Sequence, residues 1–385
     1  MNLPIELYRL ILQHFSETRD FYPLSLTSHA WQNECYELQF RVVRLRGGAR
    51  LNSWMMLLSS GLQKLATHIR SLSIPTRACL SESDKSAFVY GIRKLVNLEE
   101  LYISHAMTDR SLDAYIEPRM LECVTSNLKI FLNDLEEYPL RSKGYLFFFK
   151  EHFNLTKIYW ASGESGSPLP GDILPNLTIV HLKRWDTLSA FTGRKITRVR
   201  LGPVPMNLQL ISAFLDCLSH FANSLTHLSV NIHEAGDIRA DDASLTMVHV
   251  FRMLGDSVPA LKFLHIHVDV FLHFEHDIQL TEFQRAMSNF PALEILIMDT
   301  VERAHRRPSW HQHSYEILDS PISCLKFVQH FMDGCSSLKR MVLSPLGKSC
   351  SQWYGCGYPC FLRLENGEAA LEGFNIFESD AWEVA

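Results

Sequence analysis

The chain of 385 residues is 46% hydrophobic, 21% charged and 11% aromatic, which excludes disordered and collagen-like classes and leaves an ordinary globular protein able to bury a large core. Its formal net charge of −5 draws the whole molecule to no polyanion, so neither nucleic acid nor an anionic membrane surface is an expected partner. Nine cysteines, odd in number and irregularly spaced, fit reduced thiols in a cytoplasmic or nuclear protein, and no run reaches the roughly 18 apolar residues of a membrane span.

The first segment, Leu3 to Phe15, reads as a short helix. Pro4 suits its first position, where a missing N–H costs nothing, and Glu6 complements the helix dipole. Glu6, Arg9 and Arg19 interrupt any apolar stretch that would serve as a signal peptide. The apolar residues Leu7, Leu10, Ile11, Leu12 and Phe15 cover more than half the helix circumference, whereas packing on one core needs a stripe only about 100° wide. A second apolar surface is therefore left seeking a partner. After the polar break from Ser16 to Asp20, a helix restarts across Pro23 to Trp31.

These residues resemble a known family. Leu3-Pro4-x-Glu6-Leu7, then Ile11-Leu12 and Phe15, then Pro23-Leu24-Ser25-Leu26-Thr27-Ser28 and Trp31 follow, in order, the F-box pattern over about forty residues, with Thr27 where many F-boxes carry Val. The resemblance implies docking onto the Skp adaptor of a cullin–RING ubiquitin ligase, and through it onto the cullin scaffold. It assigns Leu3, Pro4, Leu7, Ile11, Leu12, Leu24, Leu26 and Trp31 to forming or supporting the adaptor-facing surface. Read from the residues alone, the same segment also serves as a helical cap over the open end of a repeat array, although such caps usually turn a polar face outward.

From residue 65 onward an apolar residue recurs at the first, fourth and sixth places of a short motif, Leu-x-x-Leu-x-Leu in form. Clear copies start at Ile69, Leu98, Leu155, Leu177, Ile196, Leu225, Leu261, Leu293 and Leu338, with a weaker one at Leu128. Successive starts lie 19 to 45 residues apart, mostly near the spacing of leucine-rich repeats. Each copy predicts one strand with the fourth and sixth residues turned inward. Turn-forming residues precede several starts, as in Pro175-Asn176-Leu177 and Pro259-Ala260-Leu261, and helical stretches precede those turns at 208–221, 246–254, 281–290 and 322–331. The expected fold is α/β: a helical F-box-like domain over residues 1–45, an irregular leucine-rich-repeat solenoid over 46–346 with a concave parallel sheet and outer helices, and a cap over 347–385 with a last strand at 361–364.

Residues flanking the inward ones point to the concave face, where solenoids bind partners. Tyr102, Tyr159, His181, Lys183, Arg198, Arg200, Phe263 and His265 are the candidate substrate contacts: basic groups for an acidic or phosphorylated protein segment and aromatic groups as anchors. Cys350, Cys356 and Cys360 lack the spacing of a metal site, and of His265, His267, His273 and His276 the first two fall on a predicted solvent-facing strand edge with carboxylate support limited to Asp269 and Glu275, so no cofactor or metal is expected. Nucleophile elbows, phosphate loops and zinc-protease motifs are absent, and the chain reads as a receptor for an unidentified protein substrate and not as an enzyme. A repeat scaffold with no ligase role is the alternative.

Overall fold

The computed structural model describes residues 7, 11–12, 21–45, 53–56, 58, 63–75, 82–104, 117–135, 139–163, 167–233, 246–269, 277–300, 321–343 and 358–375. Two compact units account for the chain: Met1–Ser162 with Pro170–Leu177, and Gly163–Leu169 with Thr178–Ala385.

In the first unit, α1 (Phe21–Ser25) and α2 (His29–Phe40) lead into β1 (Val42–Arg44). Then come α3 (Gln63–Ala66), β2 (Ser71–Pro75), α4 (Glu82–Ile92), β3 (Glu100–Ser104), α5 (Pro118–Leu121), β4 (Ile130–Asn133), α6 (Lys143–Glu151) and β5 (Lys157–Trp160). Each strand pairs in parallel with the next in chain order, an arrangement that requires a crossover between strands. The strand β1 is an addition to the expected helical domain. Its three residues are too few to show a period in the sequence, yet it pairs with β2 from Val42↔Ser71 to Arg44↔Ser73.

In the second unit, β6 (Ile179–Leu182) and a 3-10 segment (Trp185–Phe191) precede β7 (Arg198–Pro205). The unit continues with α7 (Leu208–Ser219), β8 (His227–His233), α8 (Met247–Ser257), β9 (Phe263–Asp269), α9 (Asp277–Met287), β10 (Ile295–Thr300), α10 (Pro321–Gly334) and β11 (Arg340–Leu343). These strands are again parallel and sequential. The C-terminal region departs from the expected single strand: β12 (Tyr358–Arg363) turns antiparallel to β11, and β13 (Ala369–Asn375) turns antiparallel to β12.

The motif and the strands share one phase throughout each unit. Every strand from β2 to β11 begins two residues after a motif start, and the ladder sets equal motif positions side by side, as in Glu100↔Ile130↔Lys157 and Arg198↔His227↔Phe263↔Ile295↔Arg340. The starting residues, among them Leu98, Leu155, Leu225 and Leu338, are wholly buried at 0% exposure, as are the fourth-position residues Leu101, Ile158, Leu228 and Met341. Because side chains alternate along a strand, burying positions four and six turns positions three and five to the other, open face.

Position two carries a further regularity. Its carbonyl accepts from the second and third amides of the following repeat: Glu99 O from Lys129 and Ile130, Thr197 O from Thr226 and His227, Glu294 O from Lys339 and Arg340. The side chains at that position repeat the link. Lys129 Nζ lies 2.9 Å from Glu99 Oε2, Lys339 Nζ lies 2.6 Å from Glu294 Oε2, and the Thr226 hydroxyl donates to Thr197 O at 3.1 Å. The Lys129 and Lys339 ammonium groups hold the Glu99 and Glu294 carboxyls below their ordinary pKa. Exposed pairs of this kind contribute about 0–1 kcal/mol each, so they mark register more than they stabilise it.

The helices supply the rest of the core. Ile211, Phe214, Leu215 and Leu218 of α7 are buried, as are Val250, Phe251 and Leu254 of α8, each set following the 3–4-residue period of one helical face. Phe251, Phe283 and Phe331, from α8, α9 and α10, join these helices through ring contacts of 5.3 to 6.2 Å between centroids.

Candidate functional site

Two features of the sequence reading have a place in the structure: the N-terminal helical module and the open faces of the sheets. In the module, Leu12, Phe21 and Cys35 form a small buried core, with Leu24, Trp31 and Leu38 packed against it. Ser28 caps α2, its hydroxyl accepting from Trp31 N at 3.3 Å, which fixes the turn between α1 and α2. Leu7, Ile11 and Leu26 are left 41%, 39% and 68% exposed. The candidate adaptor residues thus divide in two. Leu12, Leu24 and Trp31 hold the module together, whereas Leu7, Ile11 and Leu26 turn outward; Leu3 and Pro4 lie outside the described residues.

On the open face of the first unit, Tyr102 of β3 and Tyr159 of β5 stand on one row with Leu132 of β4 between them. Their hydroxyls donate to Glu100 Oε2 and Asp134 Oδ1, both at 3.0 Å. The two rings are half-buried. Two strand steps, about 10 Å, separate the backbones that carry them.

On the open face of the second unit, the register brings His181 of β6 beside Arg200 of β7, then Ser229 of β8 and His265 of β9. Arg198 and Arg200 lie two residues apart on β7, both half-buried, while Lys183 is exposed just beyond the end of β6. Gly202 allows that approach: a Cβ there would collide with the Lys183 carbonyl oxygen, and the β7–β8 register slips by one residue between Leu201 and Pro203.

Phe263 and His265 differ from expectation. Phe263 lies on the open face but is only 2% exposed, in an apolar cluster with Ile297, Val342 and Cys360, against which Ile179 and Ile295 pack. It is therefore part of the interior, not an anchor displayed to a partner. Burial lowers the His265 pKa to about 4, so the ring is neutral near pH 7, and its Nδ1 lies 3.2 Å from Ser229 Oγ. The sequence carried a signal for this that alternation alone overlooks. Runs such as Ile295-Leu296-Ile297-Met298 and Met341-Val342-Leu343 are apolar on both parities, the mark of strands buried on both faces.

Among the described residues, no group of three or more His, Cys, Asp or Glu side chains is arranged to hold a metal ion. Cys360 is buried and its thiol donates to Glu372 Oε2 at 3.0 Å, while Cys350, Cys356, His273 and His276 lie outside the described residues. His267 Nδ1 and Asp299 Oδ2 form a pair at 2.9 Å across β9 and β10. No helix among the described residues is long and apolar enough to cross a membrane.

No protein-family model matches this chain, and none of the curated proteins does. Among solved structures, the leucine-rich repeat-containing protein LegL7 from Legionella pneumophila aligns over 76% of this chain and 92% of its own, at 12% identity and a TM-score of 0.41. The reading of the fold stands instead on motif phase and strand register, which make the sheets of both units leucine-rich-repeat-like.

Proposed function

We propose that this chain is the substrate receptor of a Skp–cullin–F-box ubiquitin ligase, its N-terminal helices docking to the adaptor and its repeat strands holding a protein substrate. One observation carries the reading: a module of about forty residues closes a core on Leu12, Phe21 and Cys35 yet leaves Leu7, Ile11 and Leu26 outside it. Large apolar side chains left out of so small a core are the usual material of a binding surface. Nothing in the proposed role requires chemistry from the chain itself. It acts by raising the local concentration of substrate at the ubiquitin-loading machinery.

The test is a pull-down of purified Skp adaptor by the intact chain and by Leu7→Ala/Ile11→Ala/Leu26→Ala. All three side chains are exposed, so the variant should fold, and its affinity should fall by at least about 2 kcal/mol, roughly thirtyfold. Failure of the intact chain to bind the adaptor sinks the proposal.

A second reading, a repeat scaffold whose helices merely cap the sheet, has its own support in β1. That strand follows α2 directly and pairs with β2, tying the module to the repeats as an end cap would be. The same pull-down separates the two.

A further inference from the structure

One dipeptide of the chain carries chemistry of its own. Of all its asparagines, Asn366 alone is followed by glycine. A glycine has no Cβ to keep its amide away from the preceding side chain, so its nitrogen can reach the Asn Cγ and close a cyclic imide. The fold sets this pair in the turn between β12 and β13, where Asn366 is exposed to water.

The closed turn restrains every group that would react. Gly367 N donates to Leu364 O at 2.9 Å, which engages the hydrogen that this nucleophile must lose. Asn366 Oδ1 accepts from Glu368 N at 3.0 Å and Nδ2 donates to Glu368 Oε2 at 2.8 Å, so the side-chain amide is tied at both ends. Leu364 N donates to Glu368 O at 2.8 Å, and Gly367 takes a φ of 86° that glycine adopts without strain. Helix α10 braces the same turn. Gln329 Nε2 donates to Gly367 O at 3.2 Å, and Gln329 Oε1 accepts from Ala369 N at 2.6 Å.

We propose that Asn366 is a self-modifying site gated by the opening of this turn. In the opened turn Gly367 N gives up its proton and bonds to Asn366 Cγ. The Cγ–Nδ2 bond breaks, and the amide nitrogen leaves with that proton as ammonia. Water then adds at one of the two imide carbonyls and leaves either an aspartyl or an isoaspartyl linkage. Both products put a carboxylate among Glu365 and Glu368 where a neutral amide donated before, and like charges repel. The isoaspartyl product also lengthens the backbone by a methylene inside a turn whose hydrogen bonds fix the β12–β13 register. Modification therefore makes an opening of the last hairpin permanent. It does so whether or not the chain docks to an adaptor.

The experiment incubates the full chain beside a synthetic peptide of residues 361–370 in warm neutral buffer. Mass spectrometry of the digested chain follows Asn366, the product appearing as a gain of one mass unit and the isoaspartyl form as a separately eluting isomer. Hairpins at the end of a sheet open more readily than its centre, so the chain should react between about tenfold and a hundredfold more slowly than the peptide. Gln329→Ala removes the brace without touching the reacting pair and should raise the chain's rate at least about threefold. Should that variant not fold, Glu368→Ala, at an exposed position, frees Nδ2 and should accelerate the reaction likewise.

Equal rates in chain and peptide overturn the gate, as does an unchanged rate in both variants. Absence of product in the chain after about a hundred peptide half-lives overturns the site itself.

Discussion

Asn133, fully buried at the sixth position of its repeat, donates through its side-chain amide to the Tyr145 hydroxyl at 3.1 Å. The other repeats place an apolar residue there. Its Oδ1 also accepts from Leu135 N at 3.3 Å, so one polar side chain serves both the helix α6 and the chain leaving β4. Asn133→Ala removes both bonds and leaves the Leu135 amide without this acceptor, at a cost of about 1–3 kcal/mol. Urea unfolding of the variant measures it, and a loss under about 0.5 kcal/mol would mean that water substitutes for the amide.

Gly202 is required by the approach of β7 to the end of β6, not by an unusual backbone angle. Gly202→Ala drives a methyl group into the Lys183 carbonyl and should destabilise the second unit by about 1–3 kcal/mol. A thermal midpoint equal to that of the unaltered chain would contradict this.

Acid should weaken the fold through two imidazoles, His152 buried and His265 largely so. Burial lowers His152 and His265 to pKa values of about 4, against an ordinary 6.5. The unfolded chain takes up these protons near pH 6.5 and the folded chain only near pH 4. Their contribution is therefore intact above about pH 6.5, declines as the pH falls through the window, and changes no further below about pH 4. Each is worth up to about 3 kcal/mol across that window. Urea midpoints at pH 7 and pH 5 should differ less in His152→Gln/His265→Gln than in the unaltered chain, and an unchanged difference would assign the slope to other groups.

Leu12 and Leu7 lie on the same short segment but should respond to truncation in opposite ways. Leu12, 1% exposed, belongs to the core with Phe21 and Cys35, so Leu12→Ala should cost about 2–5 kcal/mol of module stability and admit protease between α1 and α2. Leu7, 41% exposed, should leave stability within about 0.5 kcal/mol and reduce adaptor capture instead. Limited proteolysis beside the pull-down reads both effects, and a Leu7→Ala chain cut as readily as Leu12→Ala would remove the distinction.

Much of the architecture was legible because the motif states which residues are buried. Ile158 and Trp160, or Val199 and Leu201, are apolar with polar neighbours, and only a strand with one buried face accounts for that alternation. Even the weak copy at Leu128 yields a strand, since Asn133 satisfies its polar groups locally instead of breaking the pattern. Three things were harder to read. The strand β1 is short, with Val42 and Arg44 exposed, so its identity comes from pairing with β2. The reversal at β12 depends on tertiary pairing, with Arg340 held by both oxygens of Glu372 at 2.8 and 2.9 Å across the hairpin. Burial of Phe263, Ile297 and Val342 follows from what packs on the open face, which strand alternation does not specify.

The common phase of the strands has a consequence for how such a protein can change over generations. His181 at the fifth position of β6 and Arg198 at the third position of β7 are only half-buried. A substitution there changes the interior less than one at Val180 or Val199 beside them, which are held in place by packing. Insertions between strands leave the phase untouched, as the uneven spacing of the motif attests. A lineage can thus alter the open face of β6 and β7 one substitution at a time. On β9 to β11, where Phe263, Ile297 and Val342 have become interior, that freedom has been given up.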